Sequence, residues 1–163
     1  MNFLSENNLW NFLRLSIASI MLWAFFDKLL GLGFATMPDK SWIVGVSPTA
    51  GFLAFAPDGV FASFFHSLSG NGIVDILFMS GLLLVGLCLA LGIGIRVACM
   101  SGSLMMFFIY LSLFPPENNP LIDEHIVYII AFLLLAHRST KQNFFLHNKW
   151  KKVAIVKQHP ILA

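Results

Sequence analysis

Two long uncharged runs constrain this chain more than any other feature of its sequence. Residues 76–95 and 97–114 contain no Asp, Glu, Lys or Arg, so runs of twenty and eighteen residues are separated by Arg96 alone. An α-helix rises about 1.5 Å per residue, and about 20 residues therefore cross a hydrocarbon core of roughly 30 Å. Gly92-Ile93-Gly94 lies at the junction of the runs. The pattern predicts two membrane-spanning helices joined by a tight hairpin.

Composition also favours lipid as the solvent of this chain. Hydrophobic residues make up 58% and charged residues 11% of the 163 positions, whereas an ordinary soluble domain has roughly 25% charged residues. A soluble domain of this length needs a polar shell, which these residues cannot supply. The composition therefore argues against a cytosolic globular enzyme and against a disordered, collagen-like or disulfide-framework chain. Cys88 and Cys99 form no CxxC pair, so dithiol redox chemistry and a cysteine zinc site have no support.

Two further spans are predicted on either side of the uncharged runs. Residues 9–34 are long enough, and Arg14 near one end is expected to extend to the lipid headgroups. The last span has only eleven uncharged residues, 126–136, and becomes long enough when residues 121–125 are included. Asn119 is predicted to be its N-cap, with Pro120 at the first helical position. We therefore predict an all-α fold. Residues 1–136 would form a membrane domain built as a four-helix bundle, with spans at about 9–32, 73–92, 97–114 and 121–137.

The distribution of charge predicts how this bundle is oriented. Eight basic residues fall on the side of the two termini and the glycine hairpin, and two fall on the other side. This asymmetry places both termini in the cytoplasm of a multi-pass plasma-membrane protein. Residues 137–163 then form a basic cytoplasmic tail, which is either attracted to anionic lipid or an ordinary positive-inside segment.

The outer connection between the first two spans is too long for a plain loop. Residues 61, 64, 65 and 68 are apolar and share one helical face, and Ser47-Pro48 has the pattern of a helix start. We expect one or two short helices in the outer interface.

Ionisable and hydroxyl side chains gather at the outer end of the predicted bundle. Ionised groups cost roughly 2.5 to 3.5 kcal/mol each at the bilayer centre, so such a gathering is a candidate site. It could form a pocket for a polar headgroup such as a quinone ring, with Glu124 and His125 handling protons as the catalytic pair. The remaining members would bind substrate: Asp27, Lys28, Asp75, Tyr110, Asp123 and Tyr128.

A purely structural interpretation of the same residues stays open. Lys28 could pair with Asp75 or Glu124, and the other residues could be helix caps and interface residues. His125 and His137 lie about 18 Å apart on one helix and cannot share a haem iron. No P-loop, dinucleotide fingerprint or HExxH motif is present, so we predict no bound cofactor or metal, and a diffusible quinone would be the electron carrier.

Four segments of the chain carry a family resemblance: LWAFFDKL (22–29), SPTAGFL (47–53), GIGIR (92–96) and NPLIDEH (119–125). They resemble the DoxX family, and in particular its DoxD-type branch, the small membrane subunit of thiosulfate:quinone oxidoreductase. The likeness runs from about Arg14 to Ala136. The resemblance implies a four-helix membrane protein that acts with a second subunit. Together they would pass electrons from thiosulfate, or another sulfur compound, to quinone.

The sequence leaves three functions open for this chain. The first is a membrane subunit of a quinone-linked oxidoreductase, in which Lys28 attracts an anion and Glu124 and His125 relay protons. The second is a non-enzymatic scaffold or anchor for a redox complex, with the long outer loop and the basic tail as docking surfaces. The third, a small solute carrier, is disfavoured because no charge or broken helix crosses the middle of the membrane.

Overall fold

The computed structural model describes residues 5–117, 119, 121–138, 149–150 and 152–158. Within these ranges the chain is all-helical, and no residue there belongs to a β-strand. Short 3₁₀ turns at Pro38–Lys40 and Trp42–Val44 follow the first helix. The α-helices are α1 (Glu6–Leu30), α2 (Ala50–Phe55), α3 (Ala62–Ser67), α4 (Gly72–Leu91), α5 (Ile95–Ser112), α6 (Glu124–Arg138) and α7 (Ala154–Gln158).

Three of these helices, α1, α4 and α5, are long and apolar enough to cross a membrane. Their outward faces carry large apolar side chains, among them Phe12 at 72% and Leu84 at 59% exposure. Such continuous apolar surface is unfavourable in water and indicates a lipid environment. The predicted fourth span coincides with α6, whose 15 residues make it shorter than the other three.

Glycines form the predicted hairpin between α4 and α5. Gly92 and Gly94 have φ angles of +72° and +55°, in the left-handed region that glycine adopts without steric penalty. The Gly92 N–H donates to the carbonyl of Cys88 at 2.9 Å and ends α4. The predicted hairpin over residues 92–94 is therefore confirmed.

The four long helices pack as antiparallel neighbours around one core. Gly86 of α4 lies against Leu22 of α1, and a Cβ at Gly86 would come within 2.7 Å of the Leu22 side chain. Gly102 of α5 lies against Phe132 of α6, where a Cβ would come within 2.6 Å of the ring. Small residues thus let the helices approach closely. The shared core consists of Ile17, Ala18, Met21, Phe25, Met79, Leu82, Val85, Leu89, Ile95, Cys99, Met106, Phe132 and Leu135.

Arg14 does not extend to the surface as the sequence predicted. It is 5% exposed, and its guanidinium donates to the carbonyls of Leu89 and Ala90 at the end of α4. The last carbonyls of a helix have no partner within the helix and carry partial negative charge. Arg14 therefore caps a neighbouring helix, because a buried guanidinium needs hydrogen-bond acceptors.

The same end of the molecule holds the contact between the first and last long helices. Arg138 of α6 forms an ion pair with Glu6 of α1 at 2.7 Å, and it donates to Asn7 at 3.3 Å. Its guanidinium also lies over the Trp10 ring, 5.8 Å from the centroid. We call this end, which also holds the glycine hairpin, the hairpin end.

The start of α6 differs from the prediction. The Asn119 side chain accepts from the N–H groups of Leu121 and Ile122, and forms a turn before the helix. Asp123 Oδ1 accepts from the N–H groups of His125 and Ile126, at 3.0 and 3.2 Å, so Asp123 is the cap. The helix begins at Glu124 because these bonds satisfy its first free N–H groups. Pro120, predicted at the first helical position, lies outside the described residues.

Two short helices, α2 and α3, lie in the long connection, as expected. On the predicted face of α3, Phe65 is buried, but Phe61 and Phe64 are 42% and 58% exposed. The Ser47 hydroxyl accepts from the Ala50 N–H at 3.1 Å, just before α2 begins. Most of the predicted basic tail, including Lys141, lies outside the described residues.

Candidate functional site

The predicted site residues lie at the end of the helices opposite the hairpin. There α1 and α5 end while α4 and α6 begin, and we call this the polar end. The sequence placed eight candidate residues in this layer. The structure divides them between the α1–α4 side and the α5–α6 side.

Asp27 anchors the segment that follows α1. It is 2% exposed, and its Oδ1 accepts from the Phe34 N–H at 3.3 Å. Its main-chain carbonyl accepts from the Gly31 N–H at 2.8 Å and ends the helix. A buried carboxylate requires such partners. Asp27 therefore holds the returning chain against the end of α1.

Asp75, in the first turn of α4, holds a more distant part of the same connection between α1 and α4. Its Oδ1 accepts from the hydroxyls of Ser47 and Thr49, at 2.8 and 2.6 Å. Hydrogen bonds to a carboxylate are about twice as strong as neutral ones. The sequence does not predict these contacts of Ser47 and Thr49, because Ser47-Pro48 indicates only a local helix start and both hydroxyls lie more than 25 positions from Asp75.

Lys28 forms neither of the ion pairs that the structural interpretation expected. Among the described residues, no ion pair joins it to Asp75 or Glu124. Its Nζ lies 6.0 Å from the centroid of the Phe78 ring on α4, which is the outer limit of a cation–π contact. Its position over α4 confirms that the end of α1 faces the beginning of α4.

Tyr110 fixes the chain between α5 and α6. Its side chain is buried, and its hydroxyl donates to the carbonyl of Leu121 at 2.9 Å. The ring also packs against Phe114, with centroids 5.7 Å apart. The hydroxyl is therefore occupied in holding the residues just before α6.

Asp123 and His125 form a pair at the start of α6. Oδ2 of Asp123 lies 2.7 Å from Nδ1 of His125, and the two side chains are 10% and 14% exposed. A carboxylate at this position accepts the Nδ1 proton, so it fixes the ring orientation and leaves Nε2 to exchange protons. In the described part of the chain, Nε2 has no hydrogen-bond partner.

Glu124 and Tyr128 flank this pair, one helical turn apart. Glu124 is exposed, whereas Tyr128 is partly buried against the core. Ligand atoms of Asp123, Glu124 and His125 lie within 4.8 Å of one another, close enough for a metal ion. However, Asp123 already accepts from two N–H groups and the imidazole, and a helix N-terminus disfavours a cation. The arrangement is better suited to moving protons.

The α1–α4 side and the α5–α6 side of the polar end are held by separate hydrogen bonds. No hydrogen bond or ion pair between described residues joins Asp27, Lys28 or Asp75 to Tyr110, Asp123 or His125.

Comparisons of the chain with protein-family models, with curated proteins and with solved structures found no match.

Proposed function

We propose that α6 is a fourth membrane span and that the chain is a four-helix membrane bundle. Phe132 and Leu135 of α6 are 0% and 1% exposed within the core shared with α1, α4 and α5. Leu133 on the same helix is 52% exposed and apolar, as a lipid-facing residue would be. The charge asymmetry favours an orientation with the hairpin end and both termini in the cytoplasm.

The length of α6 has a consequence for the polar end. Its 15 residues extend about 22 Å, less than a hydrocarbon core of roughly 30 Å. With Arg138 at the cytoplasmic surface, the start of α6 would lie below the outer surface. Asp123 and His125 would then meet molecules dissolved in the bilayer.

On this basis the protein is a membrane subunit of a quinone-linked oxidoreductase of the DoxX type. The observation that carries the proposal is the contact of 2.7 Å between Asp123 and His125. A quinone takes up two electrons and two protons to form a quinol. Two thiosulfate ions supply two electrons when they join as tetrathionate. A largely buried Asp–His pair is suited to delivering the protons that this reduction consumes.

The roles of the residues follow from their positions. His125 Nε2 passes a proton inward, and the exposed Glu124 recovers one from water. Lys28 supplies a positive charge for a polar head or an anionic sulfur substrate. Asp27, Asp75 and Tyr110 hold the loops next to the polar end, and their hydrogen bonds to residues of these loops support this positioning role.

The proposal is tested by quinone reduction. The full chain is purified from its own membranes with its partner subunit, and quinol formation is followed after thiosulfate is added. Glu124→Gln and His125→Ala should each slow the reaction, whereas Glu117→Gln, a change at an exposed loop residue, should not. A preparation with no thiosulfate-dependent quinol formation would contradict the proposal.

A second candidate is a non-enzymatic scaffold that anchors a redox complex. It is favoured by exposed apolar side chains in the connection between α1 and α4, including Phe55 at 88%, Val60 at 77% and Ile43 at 68%. Apolar residues this exposed are frequent at protein interfaces. Affinity purification at native expression tests it, because recovery of the chain alone would argue against a scaffold.

A further inference from the structure

The connection between α1 and α4 has buried hydroxyl side chains and exposed apolar ones. Ser41 and Thr49 are 0% and 6% exposed. In contrast, Phe55, Val60 and Ile43 are 88%, 77% and 68% exposed. Buried polar groups and an exposed apolar patch are both unfavourable for a loop in water. The outer surface of the connection is therefore suited to an apolar environment.

Hydrogen bonds within the connection hold its two short helices together. The Ser69 hydroxyl, after α3, donates to the carbonyl of Ala50 in α2 at 3.0 Å. Nε2 of His66 in α3 lies 2.8 Å from the carbonyl oxygen of Pro57, after α2. The apolar side chains are thus exposed on a packed segment, and their exposure does not come from a lack of internal contacts.

The connection is also held against the ends of two long helices. Asp75 in the first turn of α4 accepts from the hydroxyls of Ser47 and Thr49. Gly59 lies so close to the carbonyl of Phe114, just after α5, that a Cβ there would overlap it. These contacts place the connection at the level where α4 begins and α5 ends.

Continuity and charge indicate which apolar environment this surface meets. Phe34, just after α1, is 67% exposed, and Ile73, in the first turn of α4, is 70% exposed. Exposed apolar residues thus also lie where the connection joins two helices that are suited to lipid. Residues 41–74 contain a single Asp and no Glu, Lys or Arg. Protein interfaces have a polar rim and are enriched in Arg, so this composition favours lipid over a protein partner.

The helix α3 indicates the depth of the connection in the membrane. It begins just after Phe61, and its surface carries the exposed apolar ring of Phe64 as well as the exposed polar side chains of Ser63 and His66. Segments with both kinds of side chain lie at the membrane surface, with their apolar face about 5–10 Å into the boundary between headgroups and acyl chains. The connection has the character of such a segment.

We propose that the connection is a lipid-binding surface, which inserts Ile43, Phe55, Val60 and Phe64 into the membrane leaflet at the polar end. Its partner is the phospholipid bilayer, whose acyl chains surround these side chains, while the exposed Asp58 stays among the headgroups. This inference goes beyond the proposed function, because it depends on the bilayer and not on electron transfer. The scaffold candidate would instead place a protein on the same surface.

Nitroxide spin labels on the full chain in lipid nanodiscs test the assignment. Cys88→Ala and Cys99→Ala together give a background without native thiols, and a single label is attached at Phe55→Cys or Val60→Cys. Collisions of the nitroxide with oxygen, which concentrates in lipid, are compared with its collisions with a water-soluble nickel chelate. We expect oxygen collisions to exceed nickel collisions at both positions.

Two matched positions calibrate the comparison. Leu84→Cys, on the exposed apolar side of α4, is the reference for lipid. Asp39→Cys, at an exposed charged position in the same connection, should show more nickel than oxygen collisions. If nickel collisions also predominated at positions 55 and 60, the proposal would be overturned. Low rates with both reagents would show a protein contact, and would overturn lipid as the occupant in favour of the scaffold candidate.

Hydroxyl-radical footprinting of the wild-type chain in nanodiscs gives a second measurement that needs no substitution. Phe55 and Phe64 should be oxidised much less than in the chain unfolded by denaturant. His66, which is exposed on another side of α3, should keep most of its oxidation. Equal oxidation of the three side chains in nanodiscs would contradict insertion of the connection.

Discussion

Arg14 of α1 donates a hydrogen bond to the main-chain carbonyl of Leu89, 75 positions further along the chain. The same guanidinium reaches Ala90 at 3.1 Å, so one buried cation caps the end of α4. This contact joins α1 to the hairpin end of α4. A residue that the sequence suggested would lie at the lipid headgroups instead holds two helices together.

Replacement of Arg14 should therefore destabilise the protein. Arg14→Met leaves buried carbonyls without a donor, which costs about 1–3 kcal/mol. For a chain of this size, each kcal/mol lowers Tm by about 2–4 °C. Arg96→Met is the matched control, because it removes a partly exposed arginine near the same end. Thermal unfolding in detergent should show a lower Tm for Arg14→Met and not for Arg96→Met. Equal Tm values for the two variants would refute the capping role.

Close helix packing at Gly102 gives a second prediction. A Cβ at this position would come within 2.6 Å of the Phe132 ring, which is 0% exposed, so the ring would have to shift within a packed core. Gly102→Ala should cost about 1–3 kcal/mol through overpacking. Gly72→Ala, where nothing lies within 4 Å, should be neutral or stabilising. Thermal unfolding of the pair measures the difference, and a neutral Gly102→Ala would contradict the packing of α5 on α6.

Asp75 allows structural and functional roles to be separated. Asp75→Asn keeps an oxygen that can accept from Ser47 and Thr49, whereas Asp75→Leu removes it. Limited proteolysis should therefore cleave the connection between α1 and α4 faster in Asp75→Leu than in Asp75→Asn. We expect quinone reduction to survive in Asp75→Asn. Loss of activity without faster cleavage would show instead that the negative charge itself is required.

The sequence predicted the features that depend on local patterns. Uncharged runs located α4 and α5, and the glycines located the hairpin between them, because hydropathy and backbone freedom act over a few residues. The contacts of Asp75 with Ser47 and Thr49, and that of Arg14 with Leu89, join distant positions that no spacing rule connects. The α6 cap was misplaced because Asn119 and Asp123 are both good capping residues. Only the packed chain shows which of them binds the first N–H groups.

The Asp123–His125 pair allows activity to be separated from stability. Asparagine caps a helix about as well as aspartate, so Asp123→Asn should leave the Tm nearly unchanged. Asp123→Ala removes the cap and should lower the free energy of unfolding by about 0.5–2 kcal/mol. Because Asp123→Asn also removes the carboxylate that orients the imidazole, its effect on stability and its effect on proton transfer can be measured apart. A large fall in Tm for Asp123→Asn would contradict the proposed cap.

The rate of quinol formation in His125→Gln and Asp123→Asn tests the central claim most directly. Both variants are compared with Glu117→Gln in the complex with the partner subunit, under saturating thiosulfate. General acid–base groups contribute about 10²- to 10⁴-fold to rate. The rate of quinol formation should therefore fall by a factor in that range in His125→Gln, and by a smaller factor in Asp123→Asn. Wild-type rates in both folded variants would contradict a role for the pair in handling protons.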